Sequence, residues 1–336
     1  MTIQSVKVTS AIIMMLLLIT MAACSKNTNE SVQQQASHAP ATEKQSDDDK
    51  IKEAEATAET REVTDEFGSV TIPAKPQRVA AIYLEDYLKA LDVTPVVQWY
   101  HPTWGTQEYL QLDAPLFDIT GSLEALLAYS PDLIIVDGVV DKANYEQYSL
   151  IAPTYRIPEN KLQSAEDIFK TVADVLSIPE KAETVLNQYA DKVSEAKAMF
   201  DKTVGRETFA VIRVNTGDNT IALFGVKNRY AGEIYSTFGL EPHPLAKNME
   251  SFQEILSEEA FAKLDADHII VFPSNGSWES PENQEAFELL NSPLWNSVPA
   301  FKNNKVYKFE RSHWQSGAIT ANMKKLDDIV DVLSKK

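Results

Sequence analysis

The spacing of apolar positions changes several times along the chain, and the longest regular stretch lies near the middle. Between Ser177 and Lys202, the residues Ala182, Val185, Leu186, Tyr189, Val193, Ala196 and Phe200 recur every three or four positions. Lys181, Glu183, Gln188, Asp191, Lys192, Glu195 and Lys197 fill the opposite side. This spacing predicts one amphipathic helix. Ser177 and Glu180 stand at capping-box distance, and Pro179 falls in the first turn, where a missing N–H costs nothing. At about 1.5 Å per residue, some two dozen residues reach roughly 35 Å, the breadth of a small domain. The same stripe would suit an ordinary long helix inside one domain; what flanks it argues for a connector.

Ahead of it, Arg61 to Ile72 alternates apolar and polar residues around Phe67-Gly68-Ser69, which predicts a hairpin. Short apolar runs at 78–82, 96–98, 133–136 and 154–156 read as strands, with helices near 84–91, 107–110, 123–128, 144–150 and 165–176. Beyond the connector the pattern restarts. Strands are expected at 208–214, 220–224, 268–272 and 305–309, and helices at 230–238, 252–264, 285–290 and 317–333. Strands and helices alternating through short links predict parallel sheets covered on both faces. The expected fold class is α/β: two Rossmann-like lobes, 61–176 and 204–336, joined by a single long α-helix at 177–203. A ligand is expected between the lobes, at the carboxyl ends of the strands.

The first 60 residues follow different rules. Lys7 is the one charge before an apolar run from Ala11 to Ile19, and Met21-Ala22-Ala23-Cys24 follows. A run this short that ends in small residues reads as a secretory signal over 1–23. Small-small-Cys resembles a bacterial lipobox, which would place a lipid on Cys24 and hold the protein at the extracytoplasmic face of the cell membrane. The plainer alternative is a signal peptide with an incidental cysteine. Residues 24–60 carry almost no large apolar side chain and read as a flexible tether. Cys24 is the only cysteine, so no internal disulfide can form. A formal net charge of −18 argues against nucleic acid as a partner.

The sequence holds no Gly-x-Ser-x-Gly, Gly-Lys-Ser/Thr, His-Glu-x-x-His or Gly-x-Gly-x-x-Gly signature, so no enzyme activity and no cofactor of its own are expected. His101, His243, His268 and His313 are scattered, whereas a zinc or manganese site needs three or four converging ligands. A Zn/Mn-binding protein stays as an alternative, resting on His101 and His313.

Several stretches resemble the solute-binding proteins of iron–siderophore and vitamin B12 ABC importers. They are Pro76-Gln77-Arg78-Val79, Leu88 to Val96, Leu123-Glu124 with Ser130-Pro131-Asp132-Leu133-Ile134-Ile135, Ile151-Ala152-Pro153-Thr154, Tyr230 to Ile234, and Trp314 to Ala318. Their order spans nearly all of residues 61 to 334. The resemblance implies the class III periplasmic-binding-protein architecture, with little lobe motion. It implies a monomeric receptor for a ferric siderophore that hands its ligand to ABC permease subunits. Hydroxamate or citrate–hydroxamate chelates are favoured, with ferric citrate, haem or B12 as alternatives. Iron enters only as part of the ligand. By motif, Glu124 and Glu259 are the permease-docking carboxylates, although each also suits a helix start, where the dipole favours acid.

The resemblance also points to Arg213 as the arginine aimed at the iron-coordinating oxygens, and to Trp314 as part of the cleft wall. A solvent-facing arginine and a core tryptophan are the alternatives. Arg229 and Tyr230, after a loop, form a second candidate pair. The aromatic loop holding Trp99, His101 and Trp104, together with Tyr83 and the loop residue Trp278, offers rigid area near strand ends. Each of these aromatics could instead belong to a core.

Overall fold

The computed structural model describes residues 59–335 apart from 218, 219, 285–289, 291, 292 and 294. The leader, Cys24, nearly all of the tether and most of the helix expected at 285–290 lie outside the described residues.

Strands β1 (Thr60–Asp65) and β2 (Gly68–Pro73) pair in full antiparallel register. Their turn is Glu66-Phe67, one residue earlier than expected, because Asp65 Oδ1 accepts the N–H groups of both Phe67 and Gly68. Next come β3 (Val79–Ile82), α1 (Glu85–Ala90), β4 (Gln98–Tyr100), β5 (Leu116–Asp118), β6 (Leu133–Val136), α2 (Lys142–Ser149), β7 (Thr154–Arg156) and α3 (Ala165–Val175). The order β3-β6-β7 is a parallel sheet, and β4-β5 is a separate parallel pair. β3 and β6 are buried at every residue, as parallel strands covered on both faces must be.

Helix α4 runs from Pro179 to Thr203, 25 residues and about 37 Å. Its start corrects the capping-box expectation. Ser177 adopts a left-handed φ of 60°, its N–H donates to the Asp174 carbonyl and the Ile178 N–H donates to that of Ala173. These two bonds make a Schellman motif, so Ser177 closes α3 instead of opening α4. Its hydroxyl donates to the Ala74 carbonyl, and no side chain caps α4.

The second half contains β8 (Thr208–Asn215), β9 (Thr220–Phe224), α5 (Gly232–Ser236), β10 (Glu241–Pro242), α6 (Pro244–Lys247), β11 (Gln253–Leu256), α7 (Glu258–Ala262), β12 (His268–Pro273), α8 (Pro299–Lys302), β13 (Val306–Lys308), α9 (Arg311–Trp314) and α10 (Ile319–Ser334). Its sheet has the order β11-β9-β8-β12-β13, with β10 beside β8. β8, β12 and β13 are parallel as expected, but β9 runs antiparallel to β8 and to β11. Residues 216–219 are too few for a crossover, so the chain must turn straight back. The helix expected over 252–264 is likewise corrected. Phe252, Ile255 and Leu256 have helical spacing, yet Gln253–Leu256 extends along the edge of β9, and only from Ser257, the N-cap, does a helix begin.

The β3-β6-β7 sheet and the large sheet of the second half each have apolar clusters on both faces. Helix α4 adds Ala182 to the core of the first lobe, and Tyr189, Val193, Ala196 and Phe200 to that of the second. Helix α10 straddles the lobes in the same way, with Ile319 in the first core and Leu326, Ile329 and Leu333 in the other. The two lobes are thus joined by the expected long helix and braced by a second. At the N-terminus of α10 the buried Asp86 of α1 accepts the N–H groups of Thr320 and Ala321. Tyr109 donates to Asp86 at 2.7 Å and stands 3.1 Å from Ser316 Oγ. A carboxylate of the first lobe therefore caps a helix whose later turns pack in the second. Among the described residues no helix is long and apolar enough to cross a membrane.

Candidate functional site

A cavity of about 470 Å³ opens where the carboxyl ends of β3 and β6 face the second lobe. Its first wall is aromatic and apolar. Tyr83 directly follows β3 and holds a left-handed φ of 63°, a conformation that costs a non-glycine residue about 1–3 kcal/mol. Its ring meets that of Trp99 edge-on at 5.2 Å. Trp99 is buried but borders the cavity, whereas Trp104 is 47% exposed at its rim. Ile119, Leu123, Val139, Val140 and Tyr148 complete this side, with Asp137 and Asn144 as its polar members.

The opposite wall is cationic. Asn228 Oδ1 accepts the N–H groups of Tyr230 and Ala231, which fixes the turn that presents Arg229 and Tyr230. Gly317 lies directly behind: a Cβ on it would sit 2.2 Å from the Arg229 carbonyl. Arg311, the first residue of α9, donates from Nε to the Ser274 carbonyl at 2.6 Å and turns the rest of its guanidinium to the cavity. Among the described residues neither Arg229 nor Arg311 has a carboxylate within ion-pairing distance. Burial lowers the pKa of Arg311, against the pull of Tyr83, Tyr230 and Glu108. Burial also raises the Tyr83 hydroxyl, with Tyr230 adding to the shift and both arginines opposing it.

The structure thus brings together Tyr83, Trp99, Trp104, Arg229 and Tyr230 of the expected residues, and separates others. Arg213 is not among the residues lining the cavity. It shares the face of β8 that carries Phe209 and Val211, and its guanidinium bonds Asn215 Oδ1 and Gln315 Oε1 over the Phe224 ring. Trp314 is fully buried, stacks on Phe309 and donates to Asp328 Oδ2; it is a core residue. Trp278 packs on the far face of the same sheet and donates to the Phe309 carbonyl. His101 stacks on Trp104 at 3.9 Å, supporting that ring without reaching the cavity. Arg311 and Asp137 were missed. Both lie just past a strand's carboxyl end, the signal that could have found them.

Glu124 and Glu259 are exposed on first turns, Glu259 paired with Lys263 at 2.7 Å. His313 contacts Asp328, and His243 contacts Asp265. Among the described residues no group of three or more His, Cys, Asp or Glu side chains is placed to hold a metal. A wider groove of about 1010 Å³ runs along α3, α4 and α5, but its lining sets Glu166, Glu183 and Glu233 against Lys170 and Lys197 and so has no cationic surplus.

Residues 116–311 match the periplasmic binding protein family, and the chain belongs to it. That family comprises solute receptors that carry out no catalysis. Among similar proteins of Bacillus subtilis, the Fe(3+)-citrate-binding protein YfmC is 27% identical over 76% of this chain and 80% of its own. The iron(3+)-hydroxamate-binding protein FhuD is 29% identical, over 75% and 80% respectively. A crystal structure described as the periplasmic binding protein component of a Fep/Fec-like ferrichrome ABC transporter from B. subtilis, of the FhuD fold family, superposes with a TM-score of 0.69. It is 25% identical and covers 82% of this chain and all of its own. The Staphylococcus aureus SirA complex with staphyloferrin B, 23% identical with a TM-score of 0.66 over 82% and 99%, shares the fold.

Proposed function

We propose that this protein is the receptor of an ABC importer for a ferric siderophore, and that the chelate lodges in the interlobe cavity. The observation that carries this reading is the pair of guanidiniums, Arg229 and Arg311, which border the cavity opposite an aromatic wall and, among the described residues, have no carboxylate within ion-pairing distance. A ferric chelate presents several anionic oxygens around the metal, and charge-assisted bonds from planar guanidinium donors suit them. The aromatic wall takes the organic scaffold, and the cavity falls within the usual range for small ligands. Two arginines favour citrate–hydroxamate chelates, which carry a carboxylate, over neutral trihydroxamates. The relatives named for ferric citrate and ferric hydroxamate support the same class.

In this reading Cys24 carries the lipid that holds the receptor outside the membrane, and a monomer meets the permease through Glu124 and Glu259. A panel of ferric chelates titrated against intrinsic tryptophan fluorescence tests the binding. Quenching at sub-micromolar concentration by a citrate–hydroxamate complex is expected; no response to any ferric chelate refutes the reading.

A further inference from the structure

Two carboxyl groups, Glu85 behind the aromatic wall and Asp137 on it, each use only one of their oxygens among the described residues. Glu85 opens α1 and is 1% exposed; its Oε1 accepts the Trp99 N–H at 2.7 Å, while Oε2 is buried with no partner. Asp137 follows β6 and is 4% exposed; its Oδ1 accepts the Val139 N–H at 3.0 Å, and Oδ2 is likewise buried and unpartnered. β3 and β6 are neighbours, with Ile82 opposite Val136, so the segments that carry the two acids leave the same end of the sheet, and Glu85 feels the charge of Asp137. Each therefore hangs one loop of the cavity wall from a single oxygen.

A buried carboxylate oxygen without a donor is expensive, and a proton removes most of the cost. Burial raises Glu85 to about 8 against the backbone N–H groups of Glu85, Trp99 and Tyr83, with a smaller push from Asp137, and burial also raises Asp137 against the Val139 N–H. Arg229 and Arg156 oppose the shift at Asp137, and Glu159 adds to it. Tyr83 beside Glu85, Tyr87 and Asp86 on α1 and Tyr148 on α2 are the other titratable groups around them. All four are themselves raised by burial, and none supplies a positive charge. Arg229 acts on Asp137, and Asp137 on Glu85, so the cationic wall reaches the pair through Asp137.

We propose that Glu85 and Asp137 act together as a proton-holding pair at the cavity wall, so that an anionic ligand is taken up in step with a proton. The pair positions the loops of Trp99 and Val139, and through Asp137 it sets the charge beside Arg229. Ionising it adds a negative charge beside Arg229 and weakens the hold on an anionic chelate, while a neutral chelate is little affected. This rests on the chelate-receptor reading above.

Two probes decide it: an anionic ferric citrate–hydroxamate complex and a neutral ferric trihydroxamate complex, titrated between about pH 6 and 9.5. Affinity for the anionic probe is expected to fall above about pH 8, by up to about tenfold per pH unit, with the neutral probe nearly flat. Glu85→Gln should remove the slope, and Asp137→Asn provides a second variant should the first fail to fold. In the free protein, carboxyl carbon NMR should show a Glu resonance titrating near pH 8 that is lost in Glu85→Gln. A slope unchanged in both variants, or carboxyl resonances that all titrate below about pH 6, overturns the proposal. If no chelate binds at any pH the receptor reading falls, and the NMR titration alone then decides the pair.

Discussion

Arg213 and Arg311 show what one residue's sequence context can and cannot say. Arg213 stands inside an apolar strand, which makes it conspicuous, but strand alternation carries its side chain toward Gln315 and Phe224. Arg311 stands in an unremarkable polar run, yet the turn after β13 aims it at the cavity. Side-chain direction at a strand's end depends on the turn that follows, and no local pattern encodes it. In the chelate titration, Arg229→Ala and Arg311→Ala should each cost about 1.5–3 kcal/mol of binding, the range for hydrogen bonds to charged groups. Arg213→Ala should cost clearly less. Equal losses for all three would return Arg213 to the site. Trp314 and Trp278 depart from the expectation for a related reason: an indole beside a loop looks available until its ring is buried and its N–H finds an acceptor within the fold, as both do.

At the scale of elements, periodicity was sufficient where burial was one-sided or complete. The α4 stripe and the fully apolar β3 and β6 were legible because their burial leaves a clear mark on composition. The edge strand β11 was not, since its partly exposed Gln-Glu-Ile-Leu fits a helix as well as a strand, and pairing with β9 decides the outcome. Ser177 misled because a capping box and a Schellman turn both place a small polar residue between two helices. Packing between elements was also hidden, notably the close approach of Gly317 to the Arg229 backbone. Gly317→Ala should push that backbone away and weaken chelate binding at least about tenfold while the protein stays folded, since a misplaced binding group forfeits its contact. Circular dichroism alongside the titration checks both halves. Unchanged affinity would show that the Arg229 segment is not held by this contact.

For the whole molecule, two lobes braced by α4 and α10, with Asp86 capping α10 across the junction, make a stiff frame around a preformed cavity. The two-lobed plan and a cavity at the strand ends followed from the alternation of strands and helices. The second brace did not, because the C-terminal helix carries an ordinary amphipathic pattern that fits either lobe. A rigid frame suits docking by two fixed carboxylates. Changing Glu124 and Glu259 together to Ala should abolish uptake of labelled iron by cells and leave chelate binding intact; undiminished uptake would remove them from the docking surface. Iron anomalous scattering from crystals loaded with a ferric citrate–hydroxamate complex tests the central claim most directly. The account predicts one iron peak in the interlobe cavity, between the Tyr83–Trp99 wall and the guanidiniums of Arg229 and Arg311. Iron ordered elsewhere, such as in the groove along α4, would contradict it.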